Sequence, residues 1–266
     1  MKYFVVSNDR RKERVYLAPA GAKNILSSFY YINKGYQPWA LVREPSISLM
    51  IDSGAHSFRM ARGKASRFSL TKFAEYYIEF IRKFQGLFHS FAELDLEEVV
   101  GQVICDRWFE QLKAVAPKLR CIRVWHPWHG FDRWKLYCKQ TDYVGIGGGW
   151  NTRNRVSRSI LTKLVHYAYE RGVKVHAFGC TSVNFLYDIP FYSVDSSSWV
   201  AGEMYGKAYE LKGGQLVQHD LKNNTGTLKQ LNEYSEITLQ NLKVFLEFET
   251  FLTELWKERG IVWNET

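Results

Sequence analysis

Short apolar runs of strand length recur along the chain and alternate with longer segments whose apolar residues fall three and four apart. The runs are YFVVS (3–7), SLMID (48–52), FAELD (91–95), CIRVWH (121–126), YVGIG (143–147), VKVHAF (173–178) and FYSVD (191–195). Between them, the period of 69–84 places Leu70, Phe73, Tyr77, Phe80, Ile81 and Phe84 on one helical face. Segment 159–171 does the same with Ile160, Leu164, Val165 and Tyr167 before Gly172 stops it. Strands alternating with helices are the pattern of βα units around a parallel sheet. A last amphipathic helix over 232–259, with Leu239, Leu242, Phe245, Phe248, Leu252 and Leu255, is expected to pack across the outside of the fold or against a partner.

These elements predict an α/β fold, a (β/α)8 TIM-like barrel with a C-terminal amphipathic helix, in one domain spanning 1–266. Seven strands are legible, and closure needs an eighth; 208–211 is the best remaining candidate. A chain of 266 residues that is 46% hydrophobic and 16% aromatic can bury the core of such a barrel. No internal repeat, low-complexity run or Pro/Gly-rich linker argues for a second domain.

The strands terminate in Asp52, Asp95, His126, the run Gly147-Gly148-Gly149, Phe178-Gly179 and Asp195. In a parallel barrel the carboxyl ends of the strands converge on one mouth, where such enzymes place their chemistry. Each of the three carboxylates also has a plain structural reading. Asp95 with Glu98 fits a helix-capping box, and Asp52 and Asp195, each followed by Ser, could cap turns. The glycine run lacks both the GxGxxG spacing and the Walker lysine. It fits a tight turn, or close approach of backbone N–H groups to a flat ligand where a Cβ would intrude.

The formal net charge of +9 favours polyanionic partners. Cys105, Cys121, Cys138 and Cys180 are dispersed, with no CxxC pair, so no metal site is expected. No segment has the length and apolarity of a membrane span or a secretory leader, which predicts a cytoplasmic protein with no membrane partner.

The segment 51–58, Ile-Asp-Ser-Gly-Ala-His-Ser-Phe, resembles the DSGG(F/Y)Q motif of tRNA-guanine transglycosylases, and Ile146-Gly147-Gly148-Gly149 resembles their IGGL segment. Val194-Asp195-Ser196 sits where they carry a nucleophilic aspartate. The run HAFGCTSVNFLYDIPFYSVDSSSW (176–199) is similar to the compact viral and bacterial relatives that act on DNA, the deazaguanine DNA transglycosylases. The resemblance covers about 48–199.

It implies that Asp195 attacks the sugar C1′ to form a covalent glycosyl-enzyme and that Asp52 is the general acid/base. Asp95 would bond the Watson–Crick edge of a guanine-like base, with backbone groups from Gly147 and Gly148. His56 and Phe178 would sandwich the base. Where tRNA-acting relatives carry a Gln before the IGGL segment, this chain has Val124-Trp125-His126-Pro127-Trp128-His129, and His126 is the candidate replacement. The Cys-rich zinc site of the tRNA enzymes has no counterpart, which favours DNA over tRNA. No cofactor is implied. The chemistry is that of retaining glycoside transfer: one carboxylate attacks an oxocarbenium-like centre while another group manages the proton.

Arg59, Arg62, Lys64 and Arg67 follow the Asp52 motif, and Arg153, Arg155 and Arg158 follow the glycine run, positions from which loops could grip phosphates. Trp125 and Trp128 could stack on unpaired bases or lie in the core. The expectation is replacement of guanine in DNA by a 7-deazaguanine, in a chain that could form a homodimer through its last helix. The rivals are the same exchange on tRNA, a nucleosidase or glycosidase acting on small molecules, and a non-catalytic nucleic-acid-binding protein.

Overall fold

A computed structural model describes residues 1–6, 11–36, 46–62, 67–148, 156–180, 182–221 and 231–264. Eight parallel strands follow one another in sequence order around a closed barrel. They are β1 (Lys2–Val6), β2 (Asn24–Ser28), β3 (Ser48–Asp52), β4 (Ser90–Ala92), β5 (Arg120–Trp125), β6 (Tyr143–Ile146), β7 (Lys174–Ala177) and β8 (Ser193–Ser196). Pairing of β1 with β8 closes the ring and sets Phe4 beside Asp195. The helices are α1 (Arg11–Ala20), α2 (Phe29–Ile32), α3 (Ala55–Arg62), α4 (Arg67–Phe84), α5 (Glu97–Val100), α6 (Gln102–Val115), α7 (Gly130–Gln140), α8 (Arg158–Tyr169), α9 (Val183–Asp188), α10 (Ala201–Tyr205) and α11 (Leu231–Glu258).

The eighth strand of the barrel is β2, NILSS, and not 208–211. Its sequence has one β-branched residue and ends in two serines, yet Ser27 and Ser28 are both buried, so polarity hid a strand whose location is interior. Segment 208–211 lies instead in β9 (Lys207–Lys212), paired antiparallel with β10 (Gln215–Asp220) in a hairpin outside the barrel. That hairpin turns at Gly213-Gly214, both with positive φ, and Gly214 abuts the Phe251 ring of α11.

Strand parity sorts the side chains. Phe4, Leu26, Met50, Ile122 and Tyr143 fill the barrel interior, joined below by Tyr192 and Trp263. The indole N–H of Trp263 donates to Pro190 O at 3.2 Å, so the segment after α11 plugs the amino-terminal end of the barrel. The alternate residues, including Val5, Ile25, Leu49, Ile51, Phe91, Val144 and Val175, face the helices. On α4 the expected stripe is buried from Leu70 to Ile81. On α8 the buried stripe is Leu161, Leu164, Val165 and Ala168, whereas Ile160 is half exposed. Ser157 caps this helix by accepting the Ile160 N–H at 3.3 Å, which places Ile160 in the first turn, beside the cap and away from the sheet. Leu242, Phe245, Phe248 and Leu252 of α11 are buried against the chain's own β1, α1, α10 and β9. No helix among the described residues is long and apolar enough to cross a membrane.

Candidate active site

At the carboxyl ends of the strands lies a cavity of about 470 Å³. Asp52, His56, Asp95, His126, Gly147, Gly148, Phe178 and Asp195 all line it, with Ser28, Tyr31, Glu98 and Trp128. Parity explains the convergence: two-residue steps from the interior positions Met50, Ile122, Tyr143, His176 and Ser193 lead to Asp52, His126, Gly147, Phe178 and Asp195 at the mouth.

Asp52 closes β3, and its Oδ2 accepts the Gly54 N–H at 3.0 Å, so the turn-capping reading holds alongside the cavity position. Gly54 has φ +72°, and a Cβ there would stand 2.5 Å from the Tyr30 Cβ and 2.7 Å from its backbone nitrogen, so only glycine fits this turn. Burial, followed by the negative charges of Asp95 and Asp195, pushes the Asp52 carboxyl up to about 7, against the opposing pull of the Gly54 N–H and Ser28. It is therefore balanced between acid and base near neutrality.

Asp195 is held from below. Its Oδ1 faces His176 Nε2 at 3.1 Å and accepts the Gly179 N–H at 2.8 Å, so both bonds fall on one oxygen. His176 is wholly buried in the barrel interior, edge-on to Phe178 and Phe4. Its Nδ1 lies 2.7 Å from Ser193 Oγ, which in turn bonds the Tyr143 hydroxyl. The sequence reading missed His176, Ser193 and Tyr143, although each lies two or four residues before a mouth residue of the same strand face.

Asp95 lies beyond β4, which ends at Ala92 and not at Asp95. The strand stops because the Val124 N–H donates to the Glu93 carboxylate at 2.7 Å in place of a main-chain carbonyl. Buried Arg123 anchors the same Glu93 (Nε to Oε2, 3.1 Å) and reaches Asp106 and Gln140, its guanidinium between the Phe109 and Tyr137 rings. The capping box expected from Asp95 and Glu98 is not formed: Leu96 is the N-cap of α5 and makes no side-chain bond. Asp95 Oδ2 instead meets His126 Nε2 at 3.0 Å, and His126 Nδ1 donates to Gly147 O at 3.1 Å. Burial alone would depress His126, but the bond to Asp95 and the charges of Asp95 and Glu97 hold it above the ordinary imidazole range. His129 stands behind: its Nδ1 accepts the His126 backbone N–H at 3.1 Å, and its Nε2 lies 3.1 Å from Glu97 Oε1.

Two glycines make room for rings. A Cβ on Gly147 would come within 2.7 Å of His126 Cε1, and one on Gly145 within 2.5 Å of Phe178 Cε2. Gly148 has φ +70°. His56 is exposed at the rim and makes no hydrogen bond or ring contact among the described residues. Trp128, about half exposed, stacks on His126, whereas Trp125 is buried, with its indole N–H donated to Gly130 O at 2.8 Å.

The basic residues are less gathered. Arg59 and Arg62 lie on α3 and Arg67 begins α4, so these three stand on helices and not in a loop. Arg158 begins α8, and its guanidinium pairs with Asp188 at 2.6 Å. Lys64, Arg153, Arg155 and Gly149 lie outside the described residues. The four cysteines are each buried and free. Among the described residues no group of His, Cys, Asp or Glu side chains is arranged to hold a metal ion.

No family model and no curated protein matches the chain by sequence. Solved structures do match its fold. A protein described as a fructose-1,6-biphosphate aldolase from Coccidioides immitis superposes with a TM-score of 0.57 at 11% identity, over 98% of this chain and 93% of that one. A mutant tryptophan synthase alpha-subunit from Pyrococcus furiosus superposes with a TM-score of 0.54 at 11% identity, over 92% of this chain and 96% of that one. The chain is thus a TIM barrel, and at these identities the likeness is one of fold.

Proposed function

We propose that this barrel exchanges a base in DNA, replacing guanine with a 7-deazaguanine through a glycosyl-Asp195 intermediate. The observation that carries the reading is the meeting of Asp52, Asp95 and Asp195 in one cavity with His56, Phe178, Gly147 and Gly148, the set that the transglycosylase resemblance requires. A cavity of about 470 Å³ lies within the range of roughly 300–1,000 Å³ usual for small-ligand sites.

In this mechanism a carboxylate oxygen of Asp195 forms a bond to C1′ as the C1′–N9 bond of guanine breaks. Asp52 gives its proton to the departing base. The incoming 7-deazaguanine then returns a proton to Asp52 as its nitrogen attacks C1′ and releases Asp195. A carboxyl brought to about 7 suits both halves of that cycle. No co-reactant is consumed, because one base replaces another at the same carbon.

The base-recognition role is supported by His126. The acceptors Asp95 Oδ2 and Gly147 O already hold a flat ring that presents nitrogen to each of them. A guanine-like base offers N–H donors in a similar plane. Target bases in a duplex must be flipped out at a cost of a few kcal/mol, and stacking of about 1–3 kcal/mol per base offsets part of it.

The test is incorporation of labelled guanine or 7-deazaguanine into DNA and, separately, into tRNA, by wild type and by Asp195→Asn. Label in DNA that vanishes in the variant is expected. Label only in tRNA moves the chemistry to the other substrate, and label in neither removes the proposal.

A further inference from the structure

Beneath the cavity runs a buried line of three polar side chains that base exchange does not use directly. It starts at the Tyr143 hydroxyl, passes through Ser193 Oγ and both nitrogens of His176, and ends on Asp195 Oδ1. Tyr143, Ser193 and His176 are buried, and β6, β7 and β8 hold them side by side. Such a chain lies in an otherwise apolar interior layer among Phe4, Met50 and Ile122, where an unmatched polar atom is costly.

The protons can be ordered in only one way that leaves none unmatched. The Tyr143 hydroxyl has no partner other than Ser193 among the described residues, so its proton must be donated to Ser193 Oγ. Ser193 then donates its own proton to His176 Nδ1, which must be bare. The single imidazole proton sits on Nε2 and is donated to Asp195 Oδ1. The reverse order would require a proton on Nδ1 and would strand the Tyr143 hydroxyl proton in the core.

We propose that His176 is a positioning residue for the nucleophile, held as the neutral Nε2–H tautomer by Ser193 and Tyr143. Together with the Gly179 N–H, it takes up Asp195 Oδ1 and leaves Oδ2 as the attacking oxygen. The role of this attack rests on the base-exchange reading; the tautomer does not. The arrangement uses the physics by which a carboxylate orients a histidine in hydrolytic triads, with the parts exchanged: the imidazole is fixed and the carboxylate is steered. A neutral donor also leaves the carboxylate its full negative charge as a nucleophile, whereas an imidazolium would offset it.

The proposal is tested by ¹⁵N-histidine NMR on the full chain, with the His176 signal identified by its loss in His176→Gln. The expected result is a neutral ring protonated on Nε2 at neutral pH; in Ser193→Ala the Nδ1 resonance should shift as its hydrogen bond is lost, while Nε2 stays protonated against Asp195. An imidazolium, or an Nδ1–H ring in the wild type, overturns it whether or not the protein exchanges bases. In the exchange assay His176→Leu should lower kcat by about 10–100-fold, the scale seen when an orienting outer partner is lost, with KM for the base unchanged. His176→Gln, whose amide can donate to Asp195 and accept from Ser193, should recover most of it. Equal rates for His176→Leu and wild type, or equal loss in Leu and Gln variants that both melt like wild type, would overturn the positioning role. Absence of exchange in the wild type would overturn the base-exchange reading and the catalytic half of this one, leaving the tautomer to the NMR result.

Discussion

The imidazole of His126 lies flat against the indole of Trp128, with ring centres 4.5 Å apart and planes 3° from parallel. His126 also bonds Asp95 Oδ2 and Gly147 O, so a base that replaced the imidazole on those two oxygens would inherit the indole face. Trp128→Ala should therefore weaken binding of a 7-deazaguanine by about 1–3 kcal/mol, the worth of one stacked base. Its melting temperature should change little, since the ring is about half exposed. Calorimetric titration of the base into both proteins measures this, and equal affinities would remove Trp128 from the site.

Asp52 makes stability fall as pH rises. With its carboxyl raised from 3.8 to about 7, the folded protein binds a proton that the unfolded chain has already released between these values. The stabilising contribution is full below the unfolded pKa and is lost as pH climbs through about 7. Asp52→Asn keeps an oxygen for the Gly54 N–H and has no charge to bury. It should be more stable than wild type by about 1–3 kcal/mol at pH 8, with the difference vanishing toward pH 4, while base exchange is lost. Urea unfolding at several pH values gives the comparison; a pH-independent difference would contradict a raised Asp52.

Gly145→Ala would thrust a methyl group to within 2.5 Å of the Phe178 ring and 3.1 Å of Ile122 Cγ2. Overpacking of this kind costs about 1–3 kcal/mol. Addition of Phe178→Leu should restore the stability but not the base affinity. Thermal melts and KM for the base separate the two effects, and a Gly145→Ala protein with both values unchanged would show that the ring can yield freely.

Arg123 and Glu93 have side chains only 0% and 3% exposed, so removal of one strands the other. Arg123→Met should cost about 3–5 kcal/mol, and Arg123→Met with Glu93→Gln should regain most of that. The loss should also disturb Asp95, two residues along from Glu93 on the segment that Glu93 anchors. Denaturant melts of the single and double variants decide it; equal destabilisation by both would mean that the charge pairing is not the source.

Much of the site was legible because strand periodicity and strand termini are local properties. The polar residues Asp52, His126 and Asp195 end apolar runs, and two-residue alternation carries their side chains to the inner face of any closed parallel barrel. Local rules failed where neighbours from distant parts of the chain set the outcome. Serine-ended β2 becomes a strand because β1 and β3 flank it and bury its hydroxyls. Hairpin segment 208–211, with its apolar residues, is left outside because α11 supplies the surface it covers.

The sequence by itself determined the alternation of strands and helices, the barrel class and which residues end at its mouth, since these depend on spacing along one strand or helix. Only the tertiary structure decided which segment supplies the eighth strand, that Asp95 bonds His126 across 31 positions, and that Tyr143, Ser193 and His176 form a line ending on Asp195. Hydrogen bonds reach about 3 Å, and residues far apart in the chain come within that reach only after the barrel has closed and fixed the register between its strands.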